Sequence, residues 1–204
     1  MLEAQKLSAR RGVARLFTGL SFRVLPGEAL VVTGANGSGK TTLLRMLAGL
    51  SMPSAGEIRW KGRPFAPFDV ELRGAMAYVG HSPALKDELT AEENLGSLLA
   101  LDGEAVAGDA LRNALDDVAL APQRALPARV LSQGQRRRIG LARLALLPRA
   151  LWVLDEPITA LDAAGSALLS RLLTGHLAKG GLAVAATHAS LGLPEARVRS
   201  LALC

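Results

Sequence analysis

The stretch that decides the fold reads Ala29-Leu-Val-Val-Thr-Gly-Ala-Asn-Gly-Ser-Gly-Lys-Thr-Thr-Leu-Leu44. Its first five residues form a continuous apolar run, which is typical of a strand inside a buried sheet. Residues 41–50 then place apolar side chains at helical spacing, and Gly49 predicts the end of that helix. Between the two elements, residues 34–41 fit the pattern G-x-x-x-x-G-K-[ST] at every fixed position. Strand, glycine-rich turn and helix in this order predict a loop that wraps phosphate groups.

This loop predicts a specific chemistry. Its glycines let the main chain approach phosphate oxygens closely and point N–H groups at them, and the helix N-terminus adds its positive dipole end. We expect Lys40 to reach the β- and γ-phosphates of a nucleotide and the Thr41 hydroxyl to ligate Mg²⁺. A chance glycine turn is the alternative, and the flanking strand and helix disfavour it. The predicted binding residues are Gly34, Ala35, Asn36, Gly37, Ser38, Gly39, Lys40, Thr41 and Thr42.

A second chemical signal is the apolar run of residues 151–154, which ends in two carboxylates, Asp155 and Glu156. Adjacent carboxylates at a buried strand end are costly unless a cation compensates them, and Mg²⁺ supplies that charge. We expect Asp155 to hold the water shell of the metal and Glu156 to act on the attacking water as general base. The alternative is a solvated strand end followed by a turn at Pro157.

Composition limits the remaining possibilities. The chain has 204 residues, with 24 Lys and Arg against 18 Asp and Glu, for a net charge of +6. That length suits one domain with a subdomain, and the 50% hydrophobic content excludes a disordered chain. The single cysteine, Cys204, excludes a disulfide framework, and we expect a free thiol in a reducing cytosol. We find no apolar segment of roughly 20 residues and no secretory signal, so we expect a cytoplasmic protein.

Apolar strands alternate with helical segments along the chain. This order predicts an α/β fold with a mainly parallel sheet that helices cover on both faces. Besides the segments above, we predict short strands over 55–80 that end at 76–79, a mostly helical stretch over 84–120 with a loop at 102–103, a helix over about 134–147, a strand over 151–154, a helix over 163–179, and strands over 181–187 and 197–203.

Three further motifs carry a family resemblance. Leu131-Ser-Gln-Gly-Gln135 resembles the LSGGQ signature of ATP-binding cassette (ABC) ATPases, with Gln133 in place of the first glycine. Thr159-Ala-Leu-Asp162 resembles the D-loop of that family, and His188, which follows an apolar run, resembles its switch histidine. The chain is similar to the ABC family over essentially its whole length.

The resemblance implies the P-loop NTPase fold of ABC ATPases, as one ATP-binding domain over residues 1–204. It implies a small antiparallel β subdomain and a helical subdomain over about 84–147. Glu156 and His188 become the catalytic residues, and the bound ligands become ATP and Mg²⁺. In this family the signature of one copy binds the γ-phosphate held by the other copy, so a homodimer with ATP between its subunits is implied. The residues that would serve the second copy are Ser132, Gly134, Gln135 and Asp162, and Ser132 is also expected to cap a helix.

Two positions depart from the family pattern. His81 stands where most relatives have the Q-loop glutamine, so we expect it to contact nucleotide and Mg²⁺; a plain loop residue is the alternative. The aromatic residue that stacks on adenine is missing, and Arg10 or Arg11 is a candidate to lie over the purine. Several other residues have simpler interpretations. We expect Phe17 to pack in a strand, His176 to lie at the surface, and Arg136, Arg137, Arg138, Arg171 and Lys179 to lie on solvated or interfacial helix faces.

Within the family, three stretches resemble the ATP-binding subunits of haem exporters for cytochrome c maturation: residues 16–22, 78–95 and 131–138. This resemblance implies an ATPase that powers haem export or release of a haem-loaded chaperone, CcmE. Its partners would be the integral membrane proteins CcmB and CcmC, which place it on the cytoplasmic face of the inner membrane. An ABC subunit for another cargo is one alternative, and a soluble ABC protein that acts on DNA or ribosomes is another. Scattered aromatic residues indicate no nucleic-acid partner.

Overall fold

A computed structural model of the chain describes residues 1–203. Cys204, the predicted free thiol, lies outside the described residues. The chain divides into two compact units. The first, which we call the sheet unit, contains Met1–Val79, Arg149–Pro157 and the chain from Leu173 onward. The second, the helical unit, contains Gly80–Pro148 and Ile158–Leu172, so the helical stretch predicted over 84–147 lies inside it.

In chain order the strands are β1 (Leu2–Arg11), β2 (Ala14–Val24), β3 (Ala29–Gly34), β4 (Ala55–Trp60), β5 (Arg63–Pro64), β6 (Met76–Val79), β7 (Leu151–Asp155), β8 (Leu182–Ala186) and β9 (Val198–Leu203). The helices are α1 (Lys40–Leu47), α2 (Val70–Ala75), α3 (Ala91–Leu101), α4 (Gly108–Asp117), α5 (Gln133–Leu146) and α6 (Ala163–Ala178), and short 3₁₀ turns lie at Ala121–Gln123, Ala128–Val130 and Glu195–Arg197.

A five-stranded parallel sheet of order β6-β7-β8-β3-β9 forms the centre of the sheet unit. Every residue of β7 and β8 is buried, because these strands are continuous apolar runs of the kind found in covered parallel sheets. Helix α1 packs on this sheet and buries Leu43, Leu44 and Leu47. The α/β prediction and its parallel sheet are therefore confirmed.

The same unit contains a four-stranded antiparallel sheet of order β2-β1-β4-β5. Strand β1 is not among the elements predicted from the sequence. Its buried residues Leu2, Ala4, Leu7 and Ala9 alternate with exposed ones, but a register shift between Ala4 and Leu7 interrupts the period of two. The prediction of strands throughout 55–80 is wrong at α2. There the Asp69 side chain accepts a hydrogen bond from the amide of Leu72 and starts a short helix.

Helices α3, α4 and α5 pack against one another in the helical unit. The predicted loop at 102–103 follows α3, and Asp102 accepts two hydrogen bonds from the Arg143 guanidinium, both at 2.7 Å. Asn94 is only 2% exposed, and its side chain bonds the main chain of Lys86, Leu89 and Thr90. These contacts fix the segment that leads into α3. Within residues 1–203, no helix combines the length and apolarity that crossing a membrane requires.

Candidate functional site

The glycine-rich loop joins the end of β3 to the start of α1. Gly34 has a φ of 145°, and a side chain there would collide with the main-chain oxygen of Leu203, so the loop requires glycine at this position. Helix α1 begins at Lys40, and its N-cap residue, Gly39, supplies no side-chain hydrogen bond. The N–H groups of the first turn are therefore not capped by a side chain, which is the usual arrangement at an anion-binding helix terminus.

Lys40 is 8% exposed and lies in the mouth of this loop. Its Nζ donates to the main-chain oxygens of Gly34 at 2.6 Å and Ala35 at 3.2 Å. The same Nζ lies 3.2 Å from Nε2 of His188, which is 148 residues away in the chain. Because an ammonium group can only donate, Nε2 accepts here and the imidazole carries its proton on Nδ1. The fold thus brings together two residues that the sequence had singled out separately.

The two predicted carboxylates follow each other at the end of β7. Asp155 is 2% exposed. The pKa of Tyr78 is raised above its ordinary value, first by burial of the Tyr78 side chain and second by the negative charge of Asp155. Glu156 has a φ of 49°, a left-handed conformation that costs a non-glycine residue about 1 kcal/mol or more. Its amide donates to the oxygen of Ala186 on β8 at 2.9 Å, which holds the strained residue in place. Strained backbone of this kind concentrates at functional sites.

Several side chains of the sheet unit fit a nucleotide and its metal. Ser38 Oγ is buried, and no hydrogen-bond partner for it exists among residues 1–203, so its hydroxyl proton is available to a phosphate oxygen. The Asp155 carboxylate and the exposed Thr41 hydroxyl are hard oxygen donors, the class of ligand that Mg²⁺ takes. The donor chemistry of this loop and strand end therefore matches ATP with Mg²⁺.

The helical unit presents the signature residues at the N-terminus of α5. Ser132 is the N-cap residue: its Oγ accepts from the Gln135 amide at 3.2 Å, and Gln135 Oε1 accepts from the Ser132 amide at 2.9 Å. The predicted helix cap at Ser132 is confirmed. A side chain on Gly134 would come within 2.7 Å of the Ala160 oxygen, so the start of α5 packs directly against the 159–162 segment.

A cavity of about 400 Å³ opens at this helix start. Asp162 lies at its rim, and Asp162 Oδ1 accepts from the Gly165 amide at 2.8 Å and from Arg138 Nη2 at 2.7 Å. These bonds, the amide first and the guanidinium second, hold the pKa of Asp162 below its ordinary value. The cavity brings together four predicted residues, Ser132, Gly134, Gln135 and Asp162, with Ala119, Gln123, Gln133, Arg138 and Ala160 as the other lining residues.

His81 also belongs to the helical unit, and its residue is exposed. Its main-chain oxygen accepts from Arg137 Nη1 at 2.7 Å, and the oxygen of Gly80 accepts from the same nitrogen at 3.0 Å. Of the two alternatives predicted for the run of arginines on α5, a solvated or an interfacial face, the solvated one is wrong for Arg137. Arg137 is 4% exposed, while the side chains of Arg136 and Arg138 are 18% and 14% exposed and form ion pairs with Asp87 and Asp162.

The structure also describes His176, Phe17 and Arg10, residues for which the sequence predicts an environment. His176 is not a surface residue: its ring stacks on Trp152 with centroids 4.0 Å apart, its Nε2 lies 3.0 Å from the Leu182 oxygen, and burial lowers its pKa. Phe17 is 8% exposed in β2, so its predicted packing in a strand is confirmed. Arg10 is exposed and stands opposite Arg15 in the register of β1 and β2, and stacking of Arg10 or Arg11 on a purine stays a prediction.

Comparison with known protein families matches residues 17–159 to the ABC transporter family. The chain belongs to this family. This ABC ATPase is 49% identical, over all of its own length and 95% of the relative, to the cytochrome c biogenesis ATP-binding export protein CcmA of Nitrosomonas europaea. It is 50% identical to the protein of the same name from Pseudomonas aeruginosa, over 95% of each chain.

Solved structures agree on the fold. A putative ABC transporter ATP-binding protein from Pyrococcus furiosus superposes with a TM-score of 0.84 at 24% identity, over 99% of this chain and 96% of the other. A dimeric ATP-binding cassette in a post-hydrolysis state, bound to ADP and Pi, superposes with a TM-score of 0.78 at 24% identity, over 93% and 88%. The ABC ATPase therefore has the fold that its motifs predicted.

The burial of Arg137 in this ABC ATPase was not predicted from its sequence. A signal was present in the sequence, because Arg137 shares its helical stripe with Leu141 and Leu144, which are buried. The charge of the arginine and its place in a run of three outweighed that periodicity. The close approach of Ala160 to Gly134 had no signal in the sequence beyond the family motif itself.

Proposed function

We propose that this chain is the ATP-hydrolysing subunit of a membrane complex for cytochrome c maturation. In that complex ATP hydrolysis powers haem export or release of a haem-loaded chaperone. The observation that carries the proposal is the identity of about half of all residues, across nearly the full length of both chains, to proteins named as cytochrome c biogenesis ATP-binding export proteins. The geometry of the glycine-rich loop supports the ATPase part of the proposal.

Binding of ATP begins at the mouth of this loop. Residues 34–39 offer main-chain N–H groups to the phosphates, the Ser38 hydroxyl adds a donor, and Thr41 and Thr42 follow at the start of α1. Lys40 exchanges its carbonyl and His188 partners for oxygens of the β- and γ-phosphates, which recover the charge-assisted hydrogen bonds that it gives up. Release of Lys40 also frees Nε2 of His188. Once the imidazole proton has moved from Nδ1 to Nε2, that nitrogen donates a hydrogen bond to a γ-phosphate oxygen.

Hydrolysis follows at the end of β7. Glu156 takes a proton from a water molecule, whose oxygen attacks the γ-phosphorus in line while the bond to the β–γ bridging oxygen breaks and ADP leaves. Thr41, Asp155 and, as a sensor, His81 are the residues that would hold Mg²⁺ and its water shell. The ion, when bound, neutralises charge that develops on the phosphate oxygens. Lys40 and His188 stabilise the same charge from the protein side.

A second copy of the chain completes each site. Ser132 Oγ accepts a hydrogen bond from Gln135, so its own proton remains available to the γ-phosphate bound by the partner copy. Gly134 and Gln135 contribute from the same helix terminus, and Asp162 stands at the interface. Because each chain carries one half of two different sites, a symmetric head-to-tail homodimer assembles two complete sites.

The partners of this dimer in the membrane are CcmB and CcmC, and the chaperone CcmE receives the effect indirectly. The dimer is then peripheral on the cytoplasmic face of the inner membrane. Closure around ATP and reopening after hydrolysis drive motion in the membrane subunits. No nucleic acid takes part.

Affinity purification from detergent-solubilised membranes of the native host tests this function. The tagged chain and its Glu156→Gln variant are compared, because the variant holds ATP without hydrolysing it and should stabilise the assembled state. Mass spectrometry should identify cytochrome c maturation membrane proteins, with higher recovery in the variant. The control is the Lys40→Ala variant, which cannot bind ATP and should lose that enrichment.

Two results would contradict the proposal. Recovery of a different permease would retain the ABC mechanism but replace the cargo. Recovery of ribosomal or DNA-bound proteins would remove the transporter function itself.

A further inference from the structure

Arg137 is a buried cation on the signature helix. It is 4% exposed, and its Nη1 donates to two successive main-chain oxygens, those of Gly80 at 3.0 Å and His81 at 2.7 Å. All of these residues belong to the helical unit. Removing a guanidinium group from water is costly, so burial of Arg137 is sustained only because the protein supplies such acceptors. The contact is therefore strong and directional, since hydrogen bonds from a charged donor are shorter and stronger than those between neutral groups.

The segment that Arg137 holds is fixed at its other end as well. The Asn94 side chain bonds the main chain of Lys86, Leu89 and Thr90, so residues 80–90 are clamped at both ends within the helical unit. The His81 side chain projects from this clamped segment as an exposed group. Arg137 therefore holds the main chain from which the imidazole extends.

Arg137 also lies close to the signature residues along α5. Ser132 caps that helix, and Arg137 follows it by about one and a half turns. One rigid helix start thus presents Ser132 and Gly134 to the cavity and anchors the His81 main chain. A shift of the α5 N-terminus moves both groups together.

We propose that Arg137 is a positioning residue, which links the signature helix to His81 and orients the imidazole when α5 is seated. This inference rests on the nucleotide-sensing role proposed above for His81. Engagement of the signature by nucleotide then reaches His81 through two hydrogen bonds. The Arg137→Lys substitution would keep the charge, but its side chain is one bond shorter, so the ammonium would not reach the position from which Nη1 donates to both carbonyls.

Steady-state ATP hydrolysis by the complex that co-purifies with the tagged full chain tests this link. Arg137→Lys should lower kcat about tenfold, the scale of a displaced but intact reacting group. The KM for ATP should stay within about twofold, because the glycine-rich loop and Lys40, which hold the phosphates of the chain's own nucleotide, belong to the sheet unit. Arg136→Lys is the matched control: Arg136 is the neighbour on the same helix and also donates to a main-chain oxygen, that of Ala128. Its ion pair with Asp87 can be kept by lysine, and residues 80–81 are not among its contacts. It should keep the parental kcat.

A double-mutant cycle separates positioning from a general structural role. His81→Ala should lower kcat by itself, and Arg137→Lys added to it should cause no further fall, because Arg137 acts through His81. The melting temperature of each variant identifies any that fail to fold. If Arg137→Lys does, Arg137→Gln, which removes the buried charge and keeps a donor, replaces it in the cycle.

Three results would overturn the inference. They are a parental kcat in Arg137→Lys, a further fall in the double variant of the same size as in the single variant, and a parental kcat in His81→Ala. The last would remove the sensing role of His81, while loss of hydrolysis in Glu156→Gln would still support the ATP site. A parental rate in Glu156→Gln would instead contradict the proposed catalytic function.

Discussion

The sheet unit and the helical unit treat their charged groups in opposite ways. In the sheet unit the Lys40 ammonium is held by two main-chain oxygens and by the exposed imidazole of His188, partners that a phosphate can replace. In the helical unit Arg138 is paired with Asp162, and Arg137 with the main chain at residues 80–81. The cavity of the helical unit therefore offers a ligand the N-terminus of α5 and the Ser132 hydroxyl, whereas its arginine, Arg138, is already paired.

This difference separates chemistry from recognition. A site with a replaceable cation and adjacent carboxylates can bind and break a phosphoanhydride, whereas a cavity whose arginine is already paired can only recognise a phosphate. Neither half is sufficient for turnover. Substitutions in the two units should therefore differ in which step they affect, and three experiments address this difference.

The largest effect is expected from Glu156→Gln. Loss of the general base should lower ATP hydrolysis by about 10²- to 10⁴-fold while ATP binding persists, because glutamine keeps the shape but cannot take a proton. Single-turnover hydrolysis and equilibrium nucleotide binding measure the two quantities. Glu195→Gln is the control, since it removes an exposed carboxylate from the same unit. A normal rate in Glu156→Gln would mean that the sheet unit does not carry the chemistry at this residue.

A smaller effect is expected from Ser132→Ala in the helical unit. It removes the hydroxyl offered to the partner's γ-phosphate, so hydrolysis should fall on the order of 10²-fold, while nucleotide binding to a single chain is unchanged. The lost helix cap should also cost about 1 kcal/mol of unfolding free energy. Steady-state hydrolysis and chemical denaturation give the two values.

Thr90→Ala is the matched control for Ser132→Ala. Thr90 caps α3 through the same arrangement, in which Glu93 returns a hydrogen bond, but it lies outside the signature cavity. It should lose the same stability and keep its hydrolysis rate. Equal losses of hydrolysis in the two variants would show that Ser132 acts only as a cap.

The catalytic half of the protein could be predicted from sequence because its elements are local. The glycine-rich loop, its strand and its helix occupy nineteen consecutive residues, 29–47, and the carboxylates end a recognisable strand. The family resemblance predicts that Lys40 and His188 act on the same phosphate, but neither it nor the spacing predicts their direct contact across 148 residues. Sequence motifs thus predict which residues form a site better than they predict which of those residues contact one another.

Three of the errors have one physical cause. Arg137 and His176 are polar residues, and the apolar pattern of β1 is irregular. In the fold Arg137 is buried, His176 is half-buried and β1 is a ten-residue strand, because a partner elsewhere in the chain compensates each of them. Main-chain oxygens accept from Arg137, the Trp152 ring stacks on His176, and β2 and β4 flank β1. Tertiary partners of this kind leave no periodic trace in the sequence.

The smallest effect is expected from His176, a titrating residue of the sheet unit that takes no part in the chemistry. Burial lowers its folded pKa, so below its ordinary value of about 6.5 the unfolded chain binds a proton that the folded chain refuses. Stability should therefore fall as pH drops through and below that value, until the folded pKa is reached. His176→Phe keeps the stacking on Trp152 and should flatten the dependence.

Thermal melts of the parent and His176→Phe at pH 7.5 and pH 5.5 measure this effect; these are values on either side of about 6.5. The melting temperature of the parent should fall more than that of the variant, by no more than a few degrees. ATP hydrolysis at neutral pH should be the same in both proteins. Identical pH dependence of the two melting temperatures would show that the imidazole is protonated equally in both states.

The left-handed backbone at Glu156 means that the residue needed for catalysis lowers the stability of the fold, and with it the amount of folded protein in the cell. Asparagine and glycine adopt that conformation more readily than glutamate, so an inactive substitution at this position relaxes the chain. A population selected only for accumulation of folded protein would drift toward such substitutions. Continued presence of glutamate in an evolving lineage therefore reports selection for turnover itself.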